Sequence, residues 1–465
     1  MTQPLESRAI RKLFVANRGE IAVRIIRACQ SLGIQSVLGY SDVDRNTLGV
    51  SLADQAICIG PAQASDSYLH KETIIAAAKG TGCDAIHPGY GFLSEQATFR
   101  HLCDEHNIIF VGPSAEAIAA LGDKLSSREI AIEAGISVVP GWDNVSSAED
   151  VRQFGTRAGY PFLLKASAGG GGRGMRVVHE AGEAESAFER ATAEAQASFG
   201  DPTLYIERYI TRARHVEVQI MGDAYGKVLH FGERDCSTQR RHQKLIEEAP
   251  STVIDDTTRE EMYDAAVRLA RHIDYQGAGT VEFIVDMDTQ DFYFLEVNTR
   301  IQVEHPVTEM LTGHDLVAEM IKVAAGQPLA LSQDDIQTRG HALECRINAE
   351  DHQQNFRPNP GKIQLWQPPA ESASLRLDTH CYQGYVVPPF YDSMIGKLIV
   401  HASDRNSAIS AMINALESFH VEGIKTSIPF HLAVTRHPDF KAGEITTRWV
   451  ESVLMPQLLT EESVT

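Results

Sequence analysis

The segment KLFVANRGEIAVRIIRACQSLGIQSVLGYSD, from Lys12 to Asp42, leaves little choice of architecture. KLFVAN reads as a short buried strand over 12–17. From Arg18 to Leu32, Ile21, Ile25 and Ala28 recur at helical spacing, and Gly33 closes the helix. SVLGYSD is the next strand. Strand, helix, strand in that order is a βαβ unit, and its strands run parallel. A Rossmann-like parallel sheet is therefore expected at the N-terminus. CDAIHPGYGFLSE and IIFVGPS repeat the theme of a strand running into a Pro/Gly loop, and such loops commonly form ligand sites. The first turn is NRGE, not G-x-G-x-x-G, which excludes the nicotinamide-binding version.

Beyond Gly122 the texture changes. GDKLSSREIAIEAG reads as a helix closed by Gly135, and EAESAFERATAEAQASFG and TREEMYDAAVRLARHI as two more. YPFLLKAS, MRVVHE, TLYIERYI and HVEVQIMGD read as strands. The last ~130 residues mix α and β around the proline-bearing turns RPNPGK and VVPPFYD. The fold class is α/β in a multidomain arrangement. With 465 residues the chain exceeds one core and fits two or three domains. A net charge of −20 argues against duplex nucleic acid or an anionic membrane as partner, so anionic ligands need local basic clusters. MTQPLESRAIRK has no apolar signal region and no run reaches a membrane span. The seven cysteines form no CxxC. Reduced thiols in a cytoplasmic protein are expected, with Cys236 set apart by its charged surroundings.

Two features carry chemistry. In LLKASAGGGGRGMRVV, Gly169, Gly171 and Gly174 match G-x-G-x-x-G, but a strand follows where the dinucleotide motif needs a helix, and the GK[ST] of a P-loop is absent. What remains is strand, glycine turn, strand. That is either a mobile surface hairpin or a lid whose backbone N–H groups close over phosphates. Lys165, a cation inside an apolar strand, needs an anionic partner and favours the lid.

The other feature is TVEFIVDMDTQDFYFLEVN, read as a hairpin turning around Thr289. In that register Glu282 faces Glu296, Ile284 faces Phe294 and Val285 faces Tyr293. Facing carboxylates repel unless a cation lies between them, and hard oxygen ligands beside phosphate suit Mg²⁺. Asn298 shares the face. If the strand continues, so do Arg300, Gln302 and Glu304. The alternative is a polar, solvent-facing strand side. RDCSTQRRHQKLIEE (234–248) is the local basic cluster, either a solvated face or an anion site.

Taken together, FVANRGEIAVRIIRA, AIHPGYGFLSE, GDK, KASAGGGGRGMRVV, ERYI, RHVEVQ, ERDCSTQRRHQKLIEEAP, EVNTRIQVEHPVTEM, ECRINAED and PPFYDSMIGKLI resemble the biotin carboxylase family of the ATP-grasp superfamily, over roughly residues 10 to 450. The resemblance implies an N-terminal domain over 1–122, an ATP-grasp domain over 123–325 with a mobile lid at about 138–206, and a mixed α/β C-terminal domain over 326–465. It implies a ligase that carboxylates biotin from ATP and bicarbonate through carboxyphosphate. Lys124 and Lys165 should contact ATP phosphates, with Gly171 and Gly172 at the lid tip. Glu207, Arg208, Tyr209 and Ile210 should hold adenine, and His215 and His242 should line the nucleotide site. Glu282, Glu296 and Asn298 should bind two Mg²⁺ or Mn²⁺ ions. Lys244, Arg300, Gln302 and the Val303 amide should bind bicarbonate. Glu304 should act as general base, and Arg346 should meet the biotin ureido oxygen.

Ala168 stands where several free-standing members have a fifth glycine, which touches only lid flexibility. No lysine sits between methionines as a biotin acceptor would, so biotin is expected on a separate carrier protein, with separate carboxyltransferase subunits and a homodimeric carboxylase. The expected context is acetyl-CoA carboxylase of fatty acid biosynthesis or another acyl-CoA carboxylase, with a 2-oxo acid such as pyruvate as a further acceptor. An ATP-grasp ligase for a different carboxylate would lack RIQVEH or the arginine of ECRIN. A silent nucleotide-binding regulator would lack Lys124, Lys165, Glu282, Glu296 or Arg300. All are present.

Overall fold

The computed structural model describes residues 8–167 and 175–462, so the glycine loop of 168–174, with Gly171 and Gly172, lies outside the described residues. The N-terminal sheet has five strands in the order Gln55–Gly60, Gln35–Ser41, Lys12–Val15, Ala85–His87, Ile109–Phe110, all parallel as the βαβ reading requires. The helix Gly19–Leu32 buries Ile21, Ala22, Ile25, Ile26 and Ala28 and ends at Gly33 in the left-handed region, φ 68°. The first strand stops at Val15, two residues short of the expected end. Asn17 has another use: its Nδ2 donates to Pro88 O at 2.6 Å and Tyr90 O at 2.7 Å, pinning two loops at the carboxyl edge of the sheet.

A four-stranded antiparallel sheet follows, in the order Gly141–Val145, Leu204–Arg208, Phe162–Ala166, Met175–Val178. Two helices cover it. Ala148–Ala158 starts with a Ser147/Asp150 capping box, and Ala184–Phe199 turns Ala184, Ala187, Ala191 and Ala195 inward. These small residues let the helix lie close to Leu164 and Phe162, giving this unit its own core.

The third sheet is the frame of the molecule. Its eight strands run Phe292–Asn298, Gly277–Asp286, Ala213–Gly222, Val228–Arg240, Gln243–Ala249, His341–Asn348, Met394–Ala402, Leu375–Thr379, with every neighbouring pair antiparallel. One face is apolar. Val216, Val218, Val281 and Phe283 pack on the helix Asp256–His272, and Leu343, Cys345, Leu398 and Val400 on the helix Arg405–Ser418. Strict alternation sends the polar residues of the same strands to the other face. Cross-strand register there lines up Arg234, Glu217, Glu282 and Glu296. Among the described residues no helix is long and apolar enough to cross a membrane.

Two register expectations need correction. Glu282 does face Glu296, but Ile284 faces Tyr293, not Phe294, and Val285 faces Phe292, not Tyr293. A bulge between Glu282 and Phe283 offsets the ladder by one, leaving Leu295 38% exposed as the extra residue. The strand also ends at Asn298 and does not carry Arg300, Gln302 and Glu304 along one face. These three lie on an irregular turn that leads into the helix His305–Thr312.

Candidate functional site

A cleft of about 1800 Å³ opens over the polar face of the large sheet. His215, His242, Lys244, Glu282, Glu296, Asn298, Arg300, Gln302, Val303 and Arg346 line it. The basic segment is no solvated face. It forms two strands, Val228–Arg240 and Gln243–Ala249, most of whose residues are buried. Arg241 and His242 join them with φ of 49° and 63°, a two-residue turn built without glycine. Such left-handed backbone is costly for these residues and holds His242 and Lys244 at the cleft.

Lys244 is the hub. Its Nζ lies 2.6 Å from Glu217 Oε2, 2.9 Å from Glu282 Oε1 and 2.7 Å from Glu304 Oε1. Burial alone would lower the Lys244 pKa, but the acidic groups around it outweigh burial and raise it well above the ordinary range. Glu304 is fully buried behind the cleft wall. Burial opposes its ionisation, yet Lys244, Arg346 and Arg234 hold it well below the usual carboxylate range. Arg346 donates to Glu304 Oε2 at 3.0 Å and to Glu247 Oε1 at 2.6 Å. Burial, and repulsion from Glu304, push Glu247 up to about 7 against the pull of Arg346. Arg300 reaches Glu95 Oε2 at 2.8 Å, Asn298 Oδ1 at 2.8 Å and Gln302 Oε1 at 2.7 Å. The turn thus gathers the three residues that the strand was expected to carry.

The carboxylate pair fits a divalent cation. Burial and the facing Glu282 push Glu296 up, with Lys124 opposing. Glu282 is held low against burial by Lys244 and His215, whose Nε2 is 2.9 Å from its Oε2. Asn298 and Gln302 also donate to Glu282 Oε1, at 2.9 and 3.0 Å. A dication between Glu282 and Glu296 would relieve the repulsion, and the donor set of carboxylate and amide oxygens is hard.

The remaining expected residues sit apart, where the small sheet meets the large one. Lys165 pairs with Glu207, the acidic partner its burial requires, and Arg128 holds the other Glu207 oxygen at 3.2 Å. Burial, and repulsion from Lys165, lower the Lys124 pKa, with Glu296 opposing. Arg208 reaches Asp286 at 3.2 Å, Tyr209 accepts from Arg448, and Ile210 is buried beside Val139 and Tyr293. Sequence reading missed Glu217, Arg234, Glu247 and Glu95. The alternation in RHVEVQ is the signal for Glu217: its partner on the next strand over is Glu282. Cys236 is buried, its thiol pushed up by burial and by nearby Glu217, and it lies 3.7 Å from Glu304. All seven cysteines are free, as expected.

Glu248, on the same strand as Glu247, does structural work. It accepts from Arg405 at 2.6 and 3.1 Å and lies 2.8 Å from His341. Burial would raise its carboxyl, but His341 and Arg405 outweigh burial and hold it at about 2. A depressed carboxyl stabilises the fold above its unfolded pKa, about 4.3. That contribution is lost as pH falls toward the folded value. Glu248→Gln should cost ~3 kcal/mol at pH 7 in denaturant unfolding, and less at pH 3. An equal loss at both pH values would contradict this.

Residues 9–118 match the family described as biotin carboxylase, N-terminal domain. Residues 123–332 match the carbamoyl-phosphate synthase L chain, ATP binding domain, and 344–452 the biotin carboxylase C-terminal domain. "Biotin carboxylase 1" of Bacillus subtilis is 52% identical over 444 residues, 95% of this chain and 98% of that one. The crystal structure of a biotin carboxylase β-γ-ATP complex from Campylobacter jejuni has a TM-score of 0.91 at 49% identity, covering 95% of this chain and 99% of that one. The biotin carboxylase domain dimer of Hydrogenobacter thermophilus 2-oxoglutarate carboxylase, in complex with MgADP, ADP and bicarbonate, has a TM-score of 0.89 at 45% identity, covering 95% and 97%. With a relative more than half identical along nearly its whole length, and with both flanking domains matched, this chain belongs to the biotin carboxylase family.

Proposed function

We propose that the cleft carboxylates biotin, presented by a separate carrier protein, at the expense of ATP and with bicarbonate as the carbon source. The observation that carries this reading is Lys244, a half-buried cation shared by three carboxylates, which lines the cleft wall together with Arg346 and Arg300. Such a wall suits a small anion. Lys244, Arg300, Gln302 and the Val303 amide bind bicarbonate. Glu304, held ionised, takes the bicarbonate proton as the anion attacks the γ-phosphate. Lys124 and Lys165 bind phosphate oxygens. Lys165 leaves Glu207 to do so as the lid, about 138–206, closes. Glu207 to Ile210 hold the adenine, with His215 and His242 along the nucleotide. Glu282, Glu296 and Asn298 would hold Mg²⁺ or Mn²⁺, which would supply positive charge to offset that of the phosphoryl group. Carboxyphosphate then yields CO₂ and phosphate, and phosphate removes the biotin N1 proton. Arg346, always charged, stabilises the enolate-like ureido oxygen while N1 attacks CO₂.

The chain then works as a homodimeric subunit beside a biotin carboxyl carrier protein and a carboxyltransferase, whose identity sets the final acceptor. Its domains follow the limits 1–122, 123–325 and 326–465. The test is ATP cleavage with bicarbonate, with and without free biotin. ATP cleavage should require bicarbonate and rise when biotin is added. A folded, ATP-cleaving sample with no response to biotin would overturn the reading.

A further inference from the structure

The polar face of the large sheet carries a lysine that no step above uses. Lys397 lies in the strand Met394–Ala402, directly between Arg346 on one neighbouring strand and Asp378 on the other. It is fully buried. Its Nζ donates to the backbone carbonyl of Val303 at 2.7 Å and lies 3.2 Å from Glu20 Oε1 and 3.9 Å from Asp378 Oδ2. Glu20 belongs to the first turn of the N-terminal helix Gly19–Leu32 and also accepts from the hydroxyl of Tyr90, a residue of the cleft wall. Asp378 is gripped by Arg376 at 2.8 and 2.6 Å, and Arg376 reaches Glu309 of the helix His305–Thr312 at 2.8 Å. One ammonium therefore joins three parts of the chain that are far apart in sequence.

A buried cation is an expensive way to fill space. Replacing a whole buried ionic group by well-packed apolar side chains is often neutral or stabilising, whereas removing one partner alone is costly. What the ammonium adds is a fixed point. Its backbone acceptor, Val303, sits between Gln302 and Glu304, on the turn that bears the bicarbonate ligands of the proposed function. His305 makes a second clamp on that turn, its Nδ1 2.7 Å from Gln302 O. We propose that Lys397 is a positioning residue: held between Glu20 and Asp378, it fixes the Val303 carbonyl and so places Gln302, Val303 and Glu304 for the bicarbonate anion. The inference rests on the bicarbonate reading of this turn.

The test uses the full chain, with ATP and bicarbonate varied separately and folding followed by a thermal melt. Lys397→Met should raise the KM for bicarbonate about 10-fold or more while the KM for ATP stays within about twofold, since small misplacements of a positioned group cost up to about 100-fold. Lys397→Arg, which keeps a charged donor, should recover most of the loss. Glu20→Gln removes one holding charge and should raise the KM for bicarbonate about threefold, as roughly 0.6 kcal/mol of anion binding is lost. Parallel changes in both KM values, or no change in a cooperatively melting Lys397→Met protein, would overturn the proposal. If Lys397→Met does not melt cooperatively, an unchanged bicarbonate KM in Glu20→Gln overturns it instead. A wild-type protein that cleaves ATP without needing bicarbonate would strike at the proposed function, not at the role of Lys397.

Discussion

Lys244→Met should lower bicarbonate-dependent ATP cleavage at least ~100-fold, the usual scale for removing a preorganised charge from a transition state. The same change leaves Glu217, Glu282 and Glu304 without their common cation, and breaking a buried pair from one side costs ~3–5 kcal/mol. The pH dependence identifies the cause. Without the cation, burial and mutual repulsion raise the folded carboxyls above their unfolded values. The folded variant then binds more protons than the unfolded chain near neutrality, so its stability falls as pH rises. In the wild type, Lys244 has a raised pKa, so its contribution is present throughout this range and is lost only at strongly alkaline pH. Denaturant unfolding of both proteins at pH 5.5 and pH 8 should show the larger deficit at pH 8. Wild-type turnover, or equal deficits at the two pH values, would refute the hub role.

Arg346→Ala should abolish most of the biotin stimulation, by ~100- to 1000-fold, while the affinity for ATP changes little. Its guanidinium bridges Glu247 and Glu304 and lines the cleft, whereas Lys124 and Lys165 are not among the cleft-lining residues. Arg346→Lys is the control for misfolding. It keeps a charge beside the buried glutamates but cannot span both, so it should restore stability more than carboxyl transfer. ATP binding, measured by calorimetry, should be similar in all three proteins. A loss of ATP affinity matching the loss of biotin stimulation would put Arg346 in the nucleotide site instead.

Much of this site is readable from local pattern. A count centred on Thr289 puts Glu282 opposite Glu296, and the structure agrees only because of a bulge. Beside the turn the count is one residue out, with Ile284 facing Tyr293, and the extra residue Leu295 brings Glu296 into register with Glu282 beyond it. No period-2 rule announces that insertion. Lys165 was legible as a cation in need of an acid, but the acid, Glu207, lies 42 residues away. The basic segment misleads if read alone. Charge runs usually face water, and here Arg234 is fully buried because Glu217, Gln219, Thr280 and Thr308 from three other elements satisfy its donors.

The sequence by itself determined the parallel N-terminal sheet, the facing glutamates and, through its motif strings, the family and ten of the residues that line the cleft. These rest on periodicity, spacing and long motif strings, all local properties. Only the tertiary structure decided that Lys244 is shared by Glu217, Glu282 and Glu304, that Arg346 is braced by Glu247, and that Lys397 reaches the Val303 carbonyl. The reason is physical. A buried charge is tolerable only where several partners converge on it, and partners such as Arg346 and Glu247, on strands 99 residues apart, meet through sheet order, not through sequence spacing.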